Sequence, residues 1–318
     1  MAQIGRDVWQ AEKILLHGGL VAIPTETVYG LAGNALNIDS ITKIFQVKKR
    51  PTFDPLIVHT SSIEKAKSLV VDFPPMAQKL AELFWAGALT LLLPKQLIIP
   101  DLVTAGLDTV AIRIPNHPIT LQLLTRLDFP LAAPSANPFG YISPTKPTHV
   151  KQQLGDKIAY ILDGGDCKVG IESTIIGFEN DQPVIFRLGG ISVEKIEQVV
   201  GKVKVKSHST SNPQSPGSLK SHYAPIKPFF INDIKPLLTR YRPHQIGALV
   251  FGEYLKEVPS KNQLNLSVAG DFIEATKNLF SMMRQLDQMS VKVIYATLLP
   301  EKNLGRAIND RLRRAAAQ

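Results

Sequence analysis

Residues 20–31 read LVAIPTETVYGL: an apolar run, then a proline, two threonines, a glutamate and a tyrosine ahead of glycine and leucine. The run is too short for a helix and too apolar for a half-exposed strand, so it reads as a strand buried on both faces. The polar residues after it stand just past a strand end, where site residues of α/β proteins collect. The pattern recurs along the chain. Apolar runs rich in branched side chains occupy 56–58, 89–93, 110–114, 158–162 and 171–176. Amphipathic helices fall among them: one begins at Asp39 with Ile41, Ile44 and Phe45 on one face, Ser62 caps a second, and 74–84 supplies a third with Met76, Leu80, Leu83 and Phe84 inward. The expected class is α/β, built on a twisted mixed sheet.

At 318 residues, 44% hydrophobic and 20% charged, the chain is long enough for two domains that each bury a core without staples. Residues 201–228, rich in Ser, Pro, Lys and Gly, read as a linker between a domain over 1–200 and a smaller one over 229–318. The second should be a three-layer, Rossmann-like α/β unit, with strands at 229–231, 246–251 and 291–299 and helices at 234–240, 271–286 and 304–316.

One cysteine, Cys167, rules out an intrachain disulfide framework and a cysteine-built zinc site. Arg6, Asp7, Glu12 and Lys13 break the N-terminal stretch that a signal peptide needs, and no window approaches the roughly 18 apolar residues of a membrane span. The expected location is the cytoplasm. Net charge is +9, which suggests a polyanion partner. Residues 1–200 hold 18 Lys+Arg against 19 Asp+Glu, whereas 201–318 hold 18 against 8, so the excess lies in the last third.

Neither G-x-x-x-x-G-K-[ST] nor G-x-G-x-x-G occurs, and H-E-x-x-H and G-x-S-x-G are also absent. Any ATP is therefore bound without these loops, and a protein-built metal centre is not expected. What remains is polar residues past strands. Thr25 and Thr27 either close a local turn or face a ligand. Lys48, Lys49 and Arg50 follow a helix; they can be a favourable charge cluster at its C-terminus or a grip for a triphosphate. His59 ends an apolar run. Arg113 interrupts another, so it needs either an anionic ligand or an internal partner such as Asp108 or Glu172. The segment AAPSANPFGYISPT, 132–145, combines small residues with Ser135, Asn137 and Ser143, suited to phosphate or base contacts.

PTETVYGL, KKRP followed by DPLIVH, TVAIRIP, PSANPFGYISPT, GIESTIIG and RLGGI, in this order, resemble the YrdC-like threonylcarbamoyl-AMP synthases. SPGSLKSHYAP and a C-terminal region ending GRAINDRLRRAA resemble the longer, two-domain form. The resemblance implies a YrdC-like catalytic domain, a linker that closes over the site, and a reaction joining L-threonine, bicarbonate or CO2, and ATP, with magnesium carried mainly by the ATP. It implies that Thr25, Thr27, His59, Arg113, Ala133 and Ser173 hold L-threonine. Lys48 and Arg50 grip the triphosphate as the catalytic pair, and Thr109, Ser135, Asn137, Ser143, Arg187 and Tyr223 complete the ATP contacts. The product would feed threonylcarbamoyladenosine formation in tRNA, with tRNA or the transfer proteins as further partners.

Two positions depart from the family pattern: Lys49 stands where glycine is common, and Asp54 where asparagine is. The competing reading is a double-stranded RNA or tRNA binding module without catalysis. A carbamoyl-transfer relative is a third, disfavoured because no flanking modules accompany the domain.

Overall fold

The computed structural model describes residues 1–206 and 222–317; the SPGSLKS part of the linker motif, 215–221, lies outside them. Among the described residues one mixed sheet runs, in spatial order, Gln3–Gly5, Tyr160–Leu162, Val21–Ile23, Gly30–Asn34, Leu131–Ala132, Ile57–His59, Thr109–Arg113, Leu89–Pro94, Thr174–Glu179, Gln182–Arg187 and Lys204–Val205. All six apolar runs of the first domain enter it, though the last only from Thr174, which leaves 171–173 as the approach to the strand. The edge strand Lys204–Val205 pairs in parallel with Gln182–Arg187. The sheet thus reaches into the stretch whose composition reads as linker, because Val203 and Val205 pack against the core of the first domain and backbone pairing completes the edge.

Strand alternation decides which residues meet. Val110 and Ile112 face a core sealed by helices Ile38–Lys48, Pro75–Phe84 and Val193–Val200, through Ile41, Ile44, Leu80 and Ile196. Thr109, Ala111 and Arg113 face the other way. There Ala111 joins Ile57, Leu92, Ile175 and the half-buried Phe186 in a small apolar floor.

The first of these helices is capped by Asn37, not begun by Asp39: the Asn37 side chain accepts from the Ser40 N–H at 2.9 Å. Its last turn closes on Lys49 at φ 53°, the left-handed conformation that favours glycine. Ser62 caps the next helix as expected, accepting from the Lys65 N–H. In Pro75–Phe84 the buried residues are Ala77, Leu80 and Ala81, while Leu83 is 59% exposed. The helix also meets Val193–Val200, where Lys79 Nζ donates to the Val199 carbonyl at 2.8 Å, and the face it buries is rotated from the one that would include Leu83.

The second domain is a parallel sheet ordered Phe229–Phe230, Val293–Ala296, Ile246–Val250, Gln263–Asn265. Ile246, Ala248, Val250, Val293 and Tyr295 face helix Lys235–Arg240. Leu249, Ile294 and Ala296 face helices Phe272–Gln288 and Gly305–Ala316, so the three layers are present. Strand Gln263–Asn265 has two polar residues of three, and no apolar run announces it.

The two domains share a core: Val28, Ile142 and Ile171 of the first, with Tyr223, pack against Leu279, Phe280 and Met283 of the second. Gly170 stands at this contact with φ +83°, and a Cβ there would lie 2.4 Å from the Thr276 carbonyl oxygen and 2.5 Å from Lys277 Cα. Only glycine fits. No described helix is long and apolar enough to cross a membrane.

Candidate active site

His59 and Arg113 are register partners on parallel strands, so both side chains leave the same face side by side. Arg113 is buried and fully oriented. Its Nε donates to the Gly87 carbonyl at 3.1 Å, Nη1 to Thr27 Oγ1 at 2.8 Å, and Nη2 to Glu26 Oε1 at 2.6 Å. The internal carboxylate is therefore Glu26, from PTETVYGL itself, and neither Asp108 nor Glu172. Glu26 Oε2 also accepts the Asn116 N–H at 2.9 Å. Thr27 lies 2.8 Å from Thr25, whose hydroxyl donates to the Val28 carbonyl at 2.7 Å. Because each hydroxyl has one proton, Thr27 must donate to Thr25, and the four groups form one directional relay. Among the described residues three of the five Arg113 N–H groups are used, which leaves two. Burial and the nearby Arg113 push the His59 ring down to about 3, so it is neutral at physiological pH. Its Nδ1 donates to the Ile57 carbonyl at 3.2 Å, since a carbonyl can only accept.

The PSAN turn sits across the cavity. Its start is pinned by the Ala133 N–H donating to Ile57 O at 3.0 Å. Lys48 holds it from behind, with Nζ donating to the carbonyls of Ser135 and Asn137, each at 2.5 Å. Lys48 is thus turned into the backbone of the turn, and burial with Arg50 beside it lowers its pKa well below the ordinary lysine value. Arg50 reaches the cavity. It pairs with the fully buried Asp54 at 2.8 Å and donates to the carbonyls of Asp54 and Pro55. Asp54 is therefore the counter-charge that fixes Arg50. The Asn137 side chain donates to the carbonyls of Pro138 and Tyr141, bracing the loop.

On the third side, Arg187 donates to the Ser173 carbonyl at 3.0 Å and its hydroxyl at 3.1 Å, and Ser173 Oγ lies 2.7 Å from Thr90 Oγ1. Gly189 permits this packing: a Cβ there would come within 2.4 Å of Glu172 O and of the Ser173 and Thr174 backbone. Ser143 donates to Glu172 Oε1 at 2.6 Å. The linker enters here. His222 and Tyr223 are both buried, with ring centroids 4.2 Å apart, and Tyr223 has φ 63°, uncommon for a bulky residue. Burial, with Glu172 nearby, pushes the Tyr223 hydroxyl up to about 12.

Of the residues expected at a site, Thr25, Thr27, Arg50, His59, Arg113, Ala133, Ser135, Arg187 and Tyr223 line one cavity. Lys48, Asn137, Ser143 and Ser173 stand directly behind its wall. Thr109 is not brought there; it lines a groove with Leu92, Asp108, Gly177, Phe178 and Phe186 at the opposite end of its strand from Arg113. Sequence reading passed over Glu172 and His222 as lining residues and Glu26 as the Arg113 partner, although all three lie inside the quoted motifs. Each of the three carboxylates at the cavity is paired with an arginine: Glu26 with Arg113, Asp54 with Arg50, and Glu172 with Arg311 of the second domain. Among the described residues no three His, Cys, Asp or Glu converge as a metal site.

A profile of the family described as Telomere recombination matches residues 13–189, and one described as Threonylcarbamoyl-AMP synthase, C-terminal domain, matches 191–317. The chain is 40% identical over 326 residues to the threonylcarbamoyl-AMP synthase of Bacillus subtilis, covering 96% of this chain and 92% of that one. It is 37% identical over 345 residues to the synthase of Schizosaccharomyces pombe, covering 93% and 85%. The crystal structure of P. abyssi Sua5 complexed with L-threonine superposes with a TM-score of 0.90 at 37% identity, covering 99% of this chain and 97% of that one.

Proposed function

The chain belongs to the two-domain threonylcarbamoyl-AMP synthases, and on that premise we propose how its own residues carry the reaction. The enzyme uses L-threonine and ATP to make threonylcarbamoyl-AMP for tRNA modification. One observation carries the assignment of roles: Thr27, His59 and Arg113 share a single cavity with Arg50, Ser135, Arg187 and Tyr223.

The two remaining N–H groups of Arg113 receive the threonine carboxylate, with Thr25, Thr27, neutral His59 and Ser173 shaping the pocket for its other groups. The Ala133 N–H is engaged by Ile57, so Ala133 offers its carbonyl as acceptor. The threonine amine adds to CO2, losing a proton, to give a carbamate. A carbamate oxygen attacks the α-phosphorus of ATP, the bond from that phosphorus to the α,β-bridging oxygen breaks, and pyrophosphate leaves. Neither step needs a side-chain nucleophile; the protein aligns two anions and offsets growing charge.

Arg50 and Arg187 supply that charge from the walls. Lys48 supplies it from beneath the PSAN turn, while Asn137 and Ser143 keep the turn and its loop in place. Magnesium arrives on the triphosphate. The carboxylates here are committed to arginines, which fits a metal held by phosphate oxygens and water better than a protein cage. Thr109, Ala111 and Arg113 share a face, and four residues of strand span about 13 Å. Adenosine lying on the Ala111, Leu92 and Ile175 floor would reach Thr109 from the reacting centre. Tyr223 closes the cavity from the linker and keeps water from the carbamate and the mixed anhydride. Contact with tRNA or transfer proteins belongs on the linker and second domain, which together carry the excess charge.

The test is pyrophosphate release with MgATP, with mass spectrometry for the adenylate. Release should require both L-threonine and bicarbonate. Equal release with and without L-threonine sinks the assignment, and salt-sensitive RNA binding in its place would favour the non-catalytic reading.

A further inference from the structure

Arg311 lies in the C-terminal helix Gly305–Ala316, yet its side chain is fully buried. A cation in that position is costly unless several acceptors meet it, and removing any one of them leaves part of the cost standing. Here the acceptors belong mostly to the other domain. Nε and Nη2 donate to Glu172 Oε2 at 3.2 and 3.1 Å, and Nη1 donates to the Leu188 carbonyl and approaches Asp310 Oδ2 at 3.2 Å. The guanidinium also stands 5.4 Å from the centroid of the Tyr223 ring, against which Phe280 stacks at 5.4 Å.

One side chain thus reaches three cavity elements: GIEST through Glu172, RLGG through the Leu188 carbonyl, and the linker through Tyr223. Glu172 in turn holds Ser143 at 2.6 Å. Docking alone does not call for this. The apolar contacts of Leu279, Phe280 and Met283 already join the domains, and Arg306 bridges them at the periphery through Glu194 at 3.0 Å.

We propose that Arg311 is a positioning residue for the synthase reaction: the second domain completes the nucleotide side of the cavity by fixing Glu172 and Tyr223 through this guanidinium. The inference rests on the assignment of Ser143 and Tyr223 to ATP. Arg311 touches none of Thr27, His59 and Arg113, so its loss should separate the two substrates.

The experiment measures steady-state pyrophosphate release by the full chain in wild type, R311M, R311K and R306M. Wild-type activity that depends on threonine establishes the reaction in the same assay, so failure of that reading is seen separately. R311M should raise the KM for ATP at least tenfold while the KM for threonine stays within twofold. R311K keeps the buried charge but cannot serve Glu172 and Leu188 together, so it should show the same selectivity at about threefold, and it decides the matter if R311M does not fold. R306M, which loses only the peripheral bridge, should leave both KM values within twofold. Equal losses for ATP and threonine in R311M or R311K, unchanged ATP kinetics in the folded R311 variants, or an R306M profile matching R311M would overturn the proposal.

Discussion

Replacing Arg113 should separate threonine binding from stability, because the residue serves both through different N–H groups. Its pair with Glu26 is buried, with side chains 4% and 8% exposed. Breaking such a pair from one side strands the other charge and costs about 3–5 kcal/mol. R113M should therefore lower the unfolding free energy by about that amount. The double variant E26Q/R113M removes both charges and should recover most of it. Binding behaves otherwise. The two N–H groups assigned to the threonine carboxylate are charge-assisted hydrogen bonds worth about 1.5 kcal/mol or more each. Their loss, about 3 kcal/mol together, is roughly a 150-fold weaker Kd, since about 1.4 kcal/mol is a factor of ten. Both variants should show it. Isothermal titration with L-threonine and urea unfolding read the two quantities independently. Threonine affinity within tenfold of wild type in folded E26Q/R113M would refute the carboxylate role, and no recovery of stability in the double variant would refute the pairing argument.

Three further outcomes follow from the geometry. Lys49→Gly removes a left-handed non-glycine residue at an exposed helix end and should raise stability by about 1 kcal/mol with activity unchanged; a loss of stability in urea would show that Lys49 makes a contact that outweighs its backbone cost. Burial pushes His59 down to about 3 and His149 to about 4, and holds His222 well below its ordinary value. Each folded-state value lies below the unfolded one, so the unfolded chain takes up protons first and stability falls as pH drops below about 6.5, by about 1.4 kcal/mol per pH unit for each histidine involved. A midpoint of unfolding that is flat from pH 6.5 to 4.5 contradicts this. Thr109→Val should raise the KM for ATP roughly three- to tenfold, the value of one hydrogen bond, and leave threonine unaffected; unchanged ATP kinetics would remove the adenosine from that end of the strand.

Much of this molecule is local in origin and therefore readable from the chain. The strand runs, the alternation that puts Thr109, Ala111 and Arg113 on one face, and the caps at Ser62 and Asp271 depend on residues within a few positions of one another. The family resemblance that the motifs carry named nine of the cavity-lining residues. Where local reading went astray, packing was the cause: the buried face of Pro75–Phe84 holds Ala77, Leu80 and Ala81 but not Leu83, and backbone pairing together with the core contacts of Val203 and Val205 carried the sheet out to Lys204–Val205.

Arg50 finds Asp54 four positions along, but the partners of three other buried cations were decided only by the tertiary structure. Arg113 meets Glu26 across 87 positions, Lys48 turns to the carbonyls of a loop 87 and 89 positions away, and Arg311 meets Glu172 across 139. Sequence shows that such charges need partners, because leaving one alone in an apolar interior is expensive. Which partner satisfies each charge depends on what the sheet order and the docking of the second domain bring within hydrogen-bond reach, and no periodicity along the chain encodes that distance.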